Sequence, residues 1–262
     1  TNVGANTVTL TVTDASGNTD TETQTVTVSD NMAPMVALQA LTLPLSASGD
    51  TTVTAADFDN GTADNCGIAS MTIDMMAFDC SHVGNNTITF TATDVNGNVS
   101  TGTTTLTVED NTTPSVTAQD ITIDLNADGN ATIDVDDINL GSFDNCSGLD
   151  LSIDMTFFDC TNLGPNTVTL TGVDANGNEA TATATVTVED DINPVAMTQD
   201  VTVELDANGN ASITVAMINN GSSDNCSDLS FLLSKTDFDC GDIGTSSVTL
   251  TAIDGSGNND AE

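Results

Sequence analysis

Short runs in which apolar and polar residues alternate strictly recur along the whole chain. Val8-Thr9-Leu10-Thr11-Val12 is the first, and Ile88-Thr89-Phe90-Thr91-Ala92 and Val168-Thr169-Leu170 repeat it. Alternation with a period of two puts apolar side chains on one face of a strand and polar ones on the other, so these runs predict half-buried β-strands. No segment carries an apolar stripe of period 3.6, so almost no helix is expected. Between residues 112 and 191 the pattern predicts a strand at Ile121–Leu125, a turn over Asn126–Asn130 and a hairpin partner at Ala131–Val135. Further strands follow through Leu149–Ile153, up to Asp174 through Val168 and Leu170, and through Ala182–Val188. About six or seven short strands in such a block fit an immunoglobulin-like sandwich.

The pattern is periodic. Asp-x-x-Gly-Asn occurs at Asp14–Asn18, Asp94–Asn98, Asp174–Asn178 and Asp254–Asn258, a step of 80 residues each time. The same step carries Pro34 to Pro114 to Pro194, and the triplets Asp-Asn-Cys and Phe-Asp-Cys. An unbroken period implies copies related by one rotation and translation, which predicts tandem immunoglobulin-like β-sandwich domains arranged as an extended rod. The acidic-to-proline junctions mark the boundaries, because proline fixes φ and ends a strand ladder. Residues 1–31 read as the end of one repeat, 32–111 and 112–191 as complete repeats, and 192–262 as a repeat lacking its last strand. With neither an initiator Met nor a signal peptide, the chain is expected to be a segment of a longer protein.

Charge changes the picture next. The 262 residues include 39 Asp and Glu against a single Lys or Arg, a formal charge of −38. Nucleic acid and anionic membrane surfaces both need a basic face, so neither is an expected partner. No run is long and apolar enough to span a bilayer. With one His, one basic residue and no Trp or Tyr, general-base and oxyanion chemistry has almost no candidates, and the acidic pairs recur in every copy, unlike a catalytic cleft. No enzyme activity is expected. His82 and Lys235 read as incidental surface residues.

The stretch from Gly84 to Asn98, followed by a strand and then Glu-Asp-x-x-x-Pro, resembles the hyalin repeat, and more closely the hyalin-like tandem repeats of large bacterial surface and secreted proteins. The resemblance covers essentially the whole chain. It implies an immunoglobulin-like fold, an extracellular location, and an adhesive or spacer role within a very long chain; further copies of the repeat, and neighbouring chains of a filament, are the expected partners. It departs from such repeats in one respect: no Cys follows Pro34, Pro114 or Pro194, and Gln24, Gly102 and Ala182 lie in the last strand where a second cysteine is often found.

Two sets of residues carry candidate chemistry. Cys66, Cys80, Cys146, Cys160, Cys226 and Cys240 recur in pairs at fixed spacing, which in a small domain reads as disulfides made in an oxidising compartment. The expected pairs are Cys66–Cys80, Cys146–Cys160 and Cys226–Cys240, each closing a loop of about 15 residues worth about 3 kcal/mol, with inter-chain bridges between repeats as the alternative. The second set is acidic. Calcium takes six to eight hard oxygens. The turns offer Asp14, Asn18, Asp94, Asn98, Asp174 and Asn178; the boundaries offer Asp30, Asp110 and Asp190; and the cysteine loops offer Asp64, Asp79, Asp144, Asp159, Asp224 and Asp239. Solvated acidic surface is the competing account, since Asp-x-x-Gly-Asn is also a natural tight turn. The composite expectation is a non-catalytic segment of an extracellular bacterial filament, adhesin or stalk. A self-polymerising filament subunit or a module binding glycan or ice is the alternative.

Overall fold

The computed structural model describes residues 2–226 and 228–262. The chain is all-β, with three tandem β-sandwich repeats preceded by a hairpin, and it divides into two compact units. One holds the residues up to Thr113 together with Asp144–Gly148; the other holds Pro114–Phe143 and Leu149–Glu262.

The first unit opens with the hairpin β1 (Gly4–Thr13) and β2 (Thr19–Val28), paired antiparallel around the Asp14–Asn18 turn. Its sandwich contains β3 (Leu41–Pro44), β4 (Asp50–Thr52), the single-turn helix α1 (Ala55–Phe58), β5 (Ile68–Ile73), β6 (Ala77–Asp79), β7 (Gly84–Asp94) and β8 (Val99–Glu109). The larger sheet has the order β3-β8-β7-β5, and β4 pairs with β6 in the smaller one. Every pair is antiparallel except β3 with β8. Alternation does what it predicts: in β7, Ile88, Phe90 and Ala92 are fully buried, and across the ladder Leu106 and Val108 face the same core. Phe58, Phe78, Val53 and Leu45 close it from the other side, joined by Cys146. Each buried large side chain contributes about 1.5–3 kcal/mol.

The second unit repeats the plan with β9 (Ile121–Asp124), β10 (Asn130–Thr132), α2 (Val135–Ile138), β11 (Asp150–Ile153), β12 (Phe157–Asp159), β13 (Gly164–Val173) and β14 (Glu179–Glu189). The expected hairpin between Ile121–Leu125 and Ala131–Val135 does not form. β9 leaves its turn to run parallel to β14, while β10 joins β12 in the opposite sheet. A strand that switches sheets at a Gly turn covers both faces of the core, which a hairpin cannot do. The short helices were also missed. Asp134 and Asp137 build a capping box around α2, with Asp134 N–H donating to Asp137 Oδ2 at 2.7 Å, but one turn is too short to show a 3.6-residue stripe.

The last repeat contains β15 (Asn210–Ser212), α3 (Val215–Ile218), β16 (Ser230–Leu233), β17 (Asp237–Asp239), β18 (Leu250–Ile253) and β19 (Asn259–Ala261), with the larger sheet in the order β16-β18-β19. Its ladder runs to the backbone bonds between Leu250 and Glu262. The last repeat also carries a cleft of about 650 Å³ flanked by Val201–Val203 and Thr245–Val248.

Candidate metal centre

The disulfides set the frame of the site. They join Cys80 to Cys146 and Cys160 to Cys226, with Cα atoms 5.5 Å apart in both. The pairing of neighbours expected from spacing is therefore corrected: Cys66 is not bonded to Cys80, nor Cys146 to Cys160, nor Cys226 to Cys240. Cys66 and Cys240 are thiols. The Cys80 sulfur is already taken: it bonds Cys146 with the two Cα atoms 5.5 Å apart, within the range a disulfide needs. Cys80 instead meets the segment one period later, where Asn145 O and Gly49 O both lie near its sulfur. Gly49, at φ +78°, makes that approach: a Cβ there would stand 2.8 Å from Asn145 O and 2.9 Å from Cys80 Sγ. Gly129 holds Cys160 and Asn225 O in the same way.

The Asp-Asn-Cys segments that carry Cys146 and Cys226 also deliver their aspartates, Asp144 and Asp224, to acidic clusters. In the second unit Asp190, at the end of β14, meets Asp224 and Asp254, with one oxygen from each within 4.8 Å of the others. Asp190 and Asp254 are only 4% and 6% exposed. Asp224 Oδ2 accepts from Cys226 N at 2.8 Å, Asn225 Nδ2 donates to Asp190 Oδ1 at 3.0 Å, and Asn258 Nδ2 donates to the Asp190 carbonyl. Both Asp254 oxygens accept from Asn258, one from its backbone and one from its side chain. Among the described residues, Asp190 Oδ2, Asp224 Oδ1 and Asn225 Oδ1 are buried with no hydrogen-bond donor. Buried carboxylate oxygens without a donor are costly unless a cation meets them.

The first unit holds two counterparts. Asp110, Asp144 and Cys146 form one, and Asp144 Oδ1 and Asn145 Oδ1 are buried there without a donor. The Cys146 sulfur is in a disulfide, so oxygens alone remain as ligands. Asp30, Asp64 and Cys66 form the other, which is more open. There Asn96 Nδ2 and Asn98 Nδ2 donate to Asp30 Oδ2 and to its carbonyl. The Cys66 thiol and then the Met32 amide hold the Asp30 carboxyl below its ordinary value, and the same contact with Asp30 pushes the thiol up. A further group, Asp124, Glu189 and Asp191, is fully exposed.

The remaining predicted ligands are placed elsewhere. Asp79, Asp159 and Asp239 cap the one-turn 3₁₀ helices that begin at Cys80, Cys160 and Cys240, accepting from Ser81 N, Thr161 N and Gly241 N at 2.9, 2.8 and 2.7 Å. Asp14, Asp94 and Asp174 each accept from the backbone and side chain of the Asn four residues on, at Asn18, Asn98 and Asn178. For Asp94 and Asp174 burial pushes the carboxyl up, but these hydrogen bonds outweigh it and hold the group below its ordinary value. Asp254, the fourth copy of the turn aspartate, enters a cluster although Asp14, Asp94 and Asp174 were the copies singled out. The 80-residue step that links it to Asp174 was the signal that could have found it.

Three carboxylates with an amide oxygen, free of His and thiolate, form a hard-oxygen set that suits calcium or magnesium and disfavours zinc. The two partner residues that hold Asp190 and Asp224 in place, Asn225 and Cys226, belong to the disulfide-bonded segment. Disulfide and acidic cluster are thus two ends of one short loop.

No family model matches the chain, and no curated protein sequence matches it. Among solved structures it is similar to protocadherin gamma B7 extracellular cadherin domains 1–4, at 11% identity and a TM-score of 0.35, over 98% of this chain and 81% of that one. Protocadherin gamma B2 extracellular cadherin domains 1–5 give 12% and 0.36, over 98% of this chain and 64% of that one. The protocadherin gamma B4 extracellular domain gives 15% and 0.35, over 98% of this chain and 52% of that one.

Proposed function

We propose that the chain is a non-catalytic structural segment of an extracellular bacterial filament, adhesin or stalk, in which each period is clamped to the next by a disulfide and a calcium ion at the same loop. The observation that carries this reading is the buried cluster of Asp190, Asp224 and Asp254, with oxygens of Asp190, Asp224 and Asn225 left without donors. A divalent cation supplies the charge those atoms need, and does so where a net charge of −38 otherwise works against compactness. Asp190, Asp224, Asp254 and the Asn225 side-chain oxygen Oδ1 would hold it, and its chemistry there would be that of a structural cross-brace. Disulfides at a regular period support an oxidising, extracellular setting. Among the described residues no helix is long and apolar enough to cross a membrane.

Calorimetric melts in EDTA and in millimolar calcium, with magnesium as the comparison ion, test the reading. A site saturated about 100-fold above its Kd adds about 2.7 kcal/mol. Melting temperatures that coincide with and without calcium would remove the ion from the account.

A further inference from the structure

The ligand set at Asp190, Asp224 and Asp254 stands on two kinds of support. Asp190 directly follows β14, whose ladders run to both neighbours. Asp254 directly follows β18, and its amide donates to Asn258 O at 3.0 Å in the turn that leads to β19. Strand pairing therefore fixes both of these carboxylates. Asp224 and Asn225 stand on a loop instead. Among the described residues from 224 to 229, none belongs to a helix or a strand. The loop is tied only at its ends, by the backbone pair of Val195 and Ser223 at 2.8 and 3.1 Å and by β16 from Ser230 onward.

The disulfide seats the middle of that loop. Cys226 is bonded to Cys160 and packs in the core of the sandwich. Asn225 O lies 3.6 Å from Cys160 Sγ, and Cys226 N donates to Asp224 Oδ2 at 2.8 Å, which sets the direction of that carboxylate. Charge works against the seating. Oxygens of Asp190, Asp224 and Asp254 lie within 4.8 Å of one another, and Asp190 Oδ2 and Asp224 Oδ1 have no donor. Like charges this close repel. Asp190 and Asp254 are held by their strands, so the loop is the part free to relieve the repulsion by moving away.

We propose that ion and disulfide are coupled through this loop: calcium at Asp190, Asp224 and Asp254 protects Cys160–Cys226 from reduction, and loss of the disulfide weakens calcium binding by the same factor. The inference rests on the calcium reading above and adds a redox control to it. Whichever of the two forms first bears the cost of ordering the loop, so the second forms on a loop already in place. The two effects must be equal, because they are linked equilibria of one molecule. In the reduction step, two glutathione thiols supply two electrons and two protons. The disulfide becomes two protein thiols, and the glutathione leaves as its own disulfide.

The test equilibrates the full chain in glutathione buffers of graded potential, in EDTA and in millimolar calcium chloride. Thiols are trapped with iodoacetamide, and the Cys160 and Cys226 peptides are quantified by mass spectrometry. Calcium is expected to make the disulfide about tenfold harder to reduce, within the usual range of coupling between sites. For this two-electron couple that is a midpoint about 30 mV lower. Asp254→Asn, on the strand-fixed side of the site, should lose most of this shift. Calorimetric calcium titration of the parent and of Cys160→Ala/Cys226→Ala, shown to be folded by circular dichroism, should reveal a site weakened by the same factor in the variant. The redox titration needs only the parent, so it decides the matter even where the variant fails to fold. A midpoint unmoved by calcium that the oxidised chain still binds would overturn the coupling and leave the calcium reading standing. A shift that survives in Asp254→Asn would refute the coupling as well, by placing the ion elsewhere. An oxidised chain that binds no calcium would remove both.

Discussion

Cys80 and Cys146 lie 66 residues apart in sequence, yet their Cα atoms are 5.5 Å apart, and Cys160 and Cys226 repeat the relationship. A loop that long is worth about 4 kcal/mol in the chain-entropy model, against about 3 for a 15-residue loop. Non-reducing peptide maps should recover these two pairs and no peptide joining Cys146 to Cys160. The Cys80→Ser/Cys146→Ser double variant should lose most of that stability in denaturant melts. A map showing the short-range pairs would refute the arrangement.

Gly49 is required by the link as much as the sulfurs are. A methyl group at this position meets Asn145 O at 2.8 Å and Cys80 Sγ at 2.9 Å, on a backbone that L side chains rarely adopt. Gly49→Ala should cost about 2 kcal/mol or more and slow closure of Cys80–Cys146 on refolding. Gly61→Ala is the control, since Gly61 shares the positive φ but has nothing within 4 Å. It should pay the backbone cost of about 1 kcal/mol alone. Equal losses for the two would show that close approach is not the cause.

Asp224→Asn should change sign with calcium. The amide keeps an acceptor for Cys226 N and removes one charge from a crowded trio. In EDTA the variant should therefore melt at or above the parent, and in calcium it should lack most of the parent's rise. Asp239→Asn, at a capping position outside the clusters, should leave the calcium effect unchanged. A variant below the parent by the same margin in both buffers would exclude a metal at Asp224.

The turn aspartates tie stability to acid. The folded Asp94 carboxyl titrates below its ordinary value of 3.8. Its ionised form therefore stabilises the fold fully above that value, and the contribution is lost as pH falls through the lower folded value. The stability difference between the parent and Asp94→Asn should be constant above about pH 5. It should shrink below about pH 4. A gap that stays constant down to pH 2 would mean that Asp94 does not titrate with folding.

Phe158 is fully buried, whereas Phe143 is 64% exposed. Phe158→Ala should cost about 3–5 kcal/mol and Phe143→Ala much less than that, as chevron or equilibrium melts can show. Similar losses would contradict the assigned core.

Much of this architecture was legible because alternation and period act locally. Val168, Leu170, Val186 and Val188 declare their buried faces by spacing alone. The disulfide partners were not legible. Cys66 and Cys80 are near in sequence, and only the packing of the 144–148 segment against Gly49 and Cys80 shows that Cys146 is the partner. The sheet switch at Gly129 escaped for a related reason: a turn followed by an apolar run reads as a hairpin until the partner strands are known. Among the acids, composition pointed to cation binding but could not separate Asp79, used up as a helix cap, from Asp64, which reaches a cluster.

The two loops closed by disulfides follow one another without overlap, so the unlocked stretch between them is residues 147–159, 14 Cα–Cα steps from Cys146 to Cys160. Under tension, unravelling within each closed loop cannot lengthen the molecule. The extension gained when a period gives way is then limited to about 50 Å of contour, at about 3.5 Å per residue, where an unlinked repeat would release more than five times as much. Pulled at Cys80 and Cys226, this stretch would behave as a tether of low extensibility, and a reducing agent would let it lengthen several-fold.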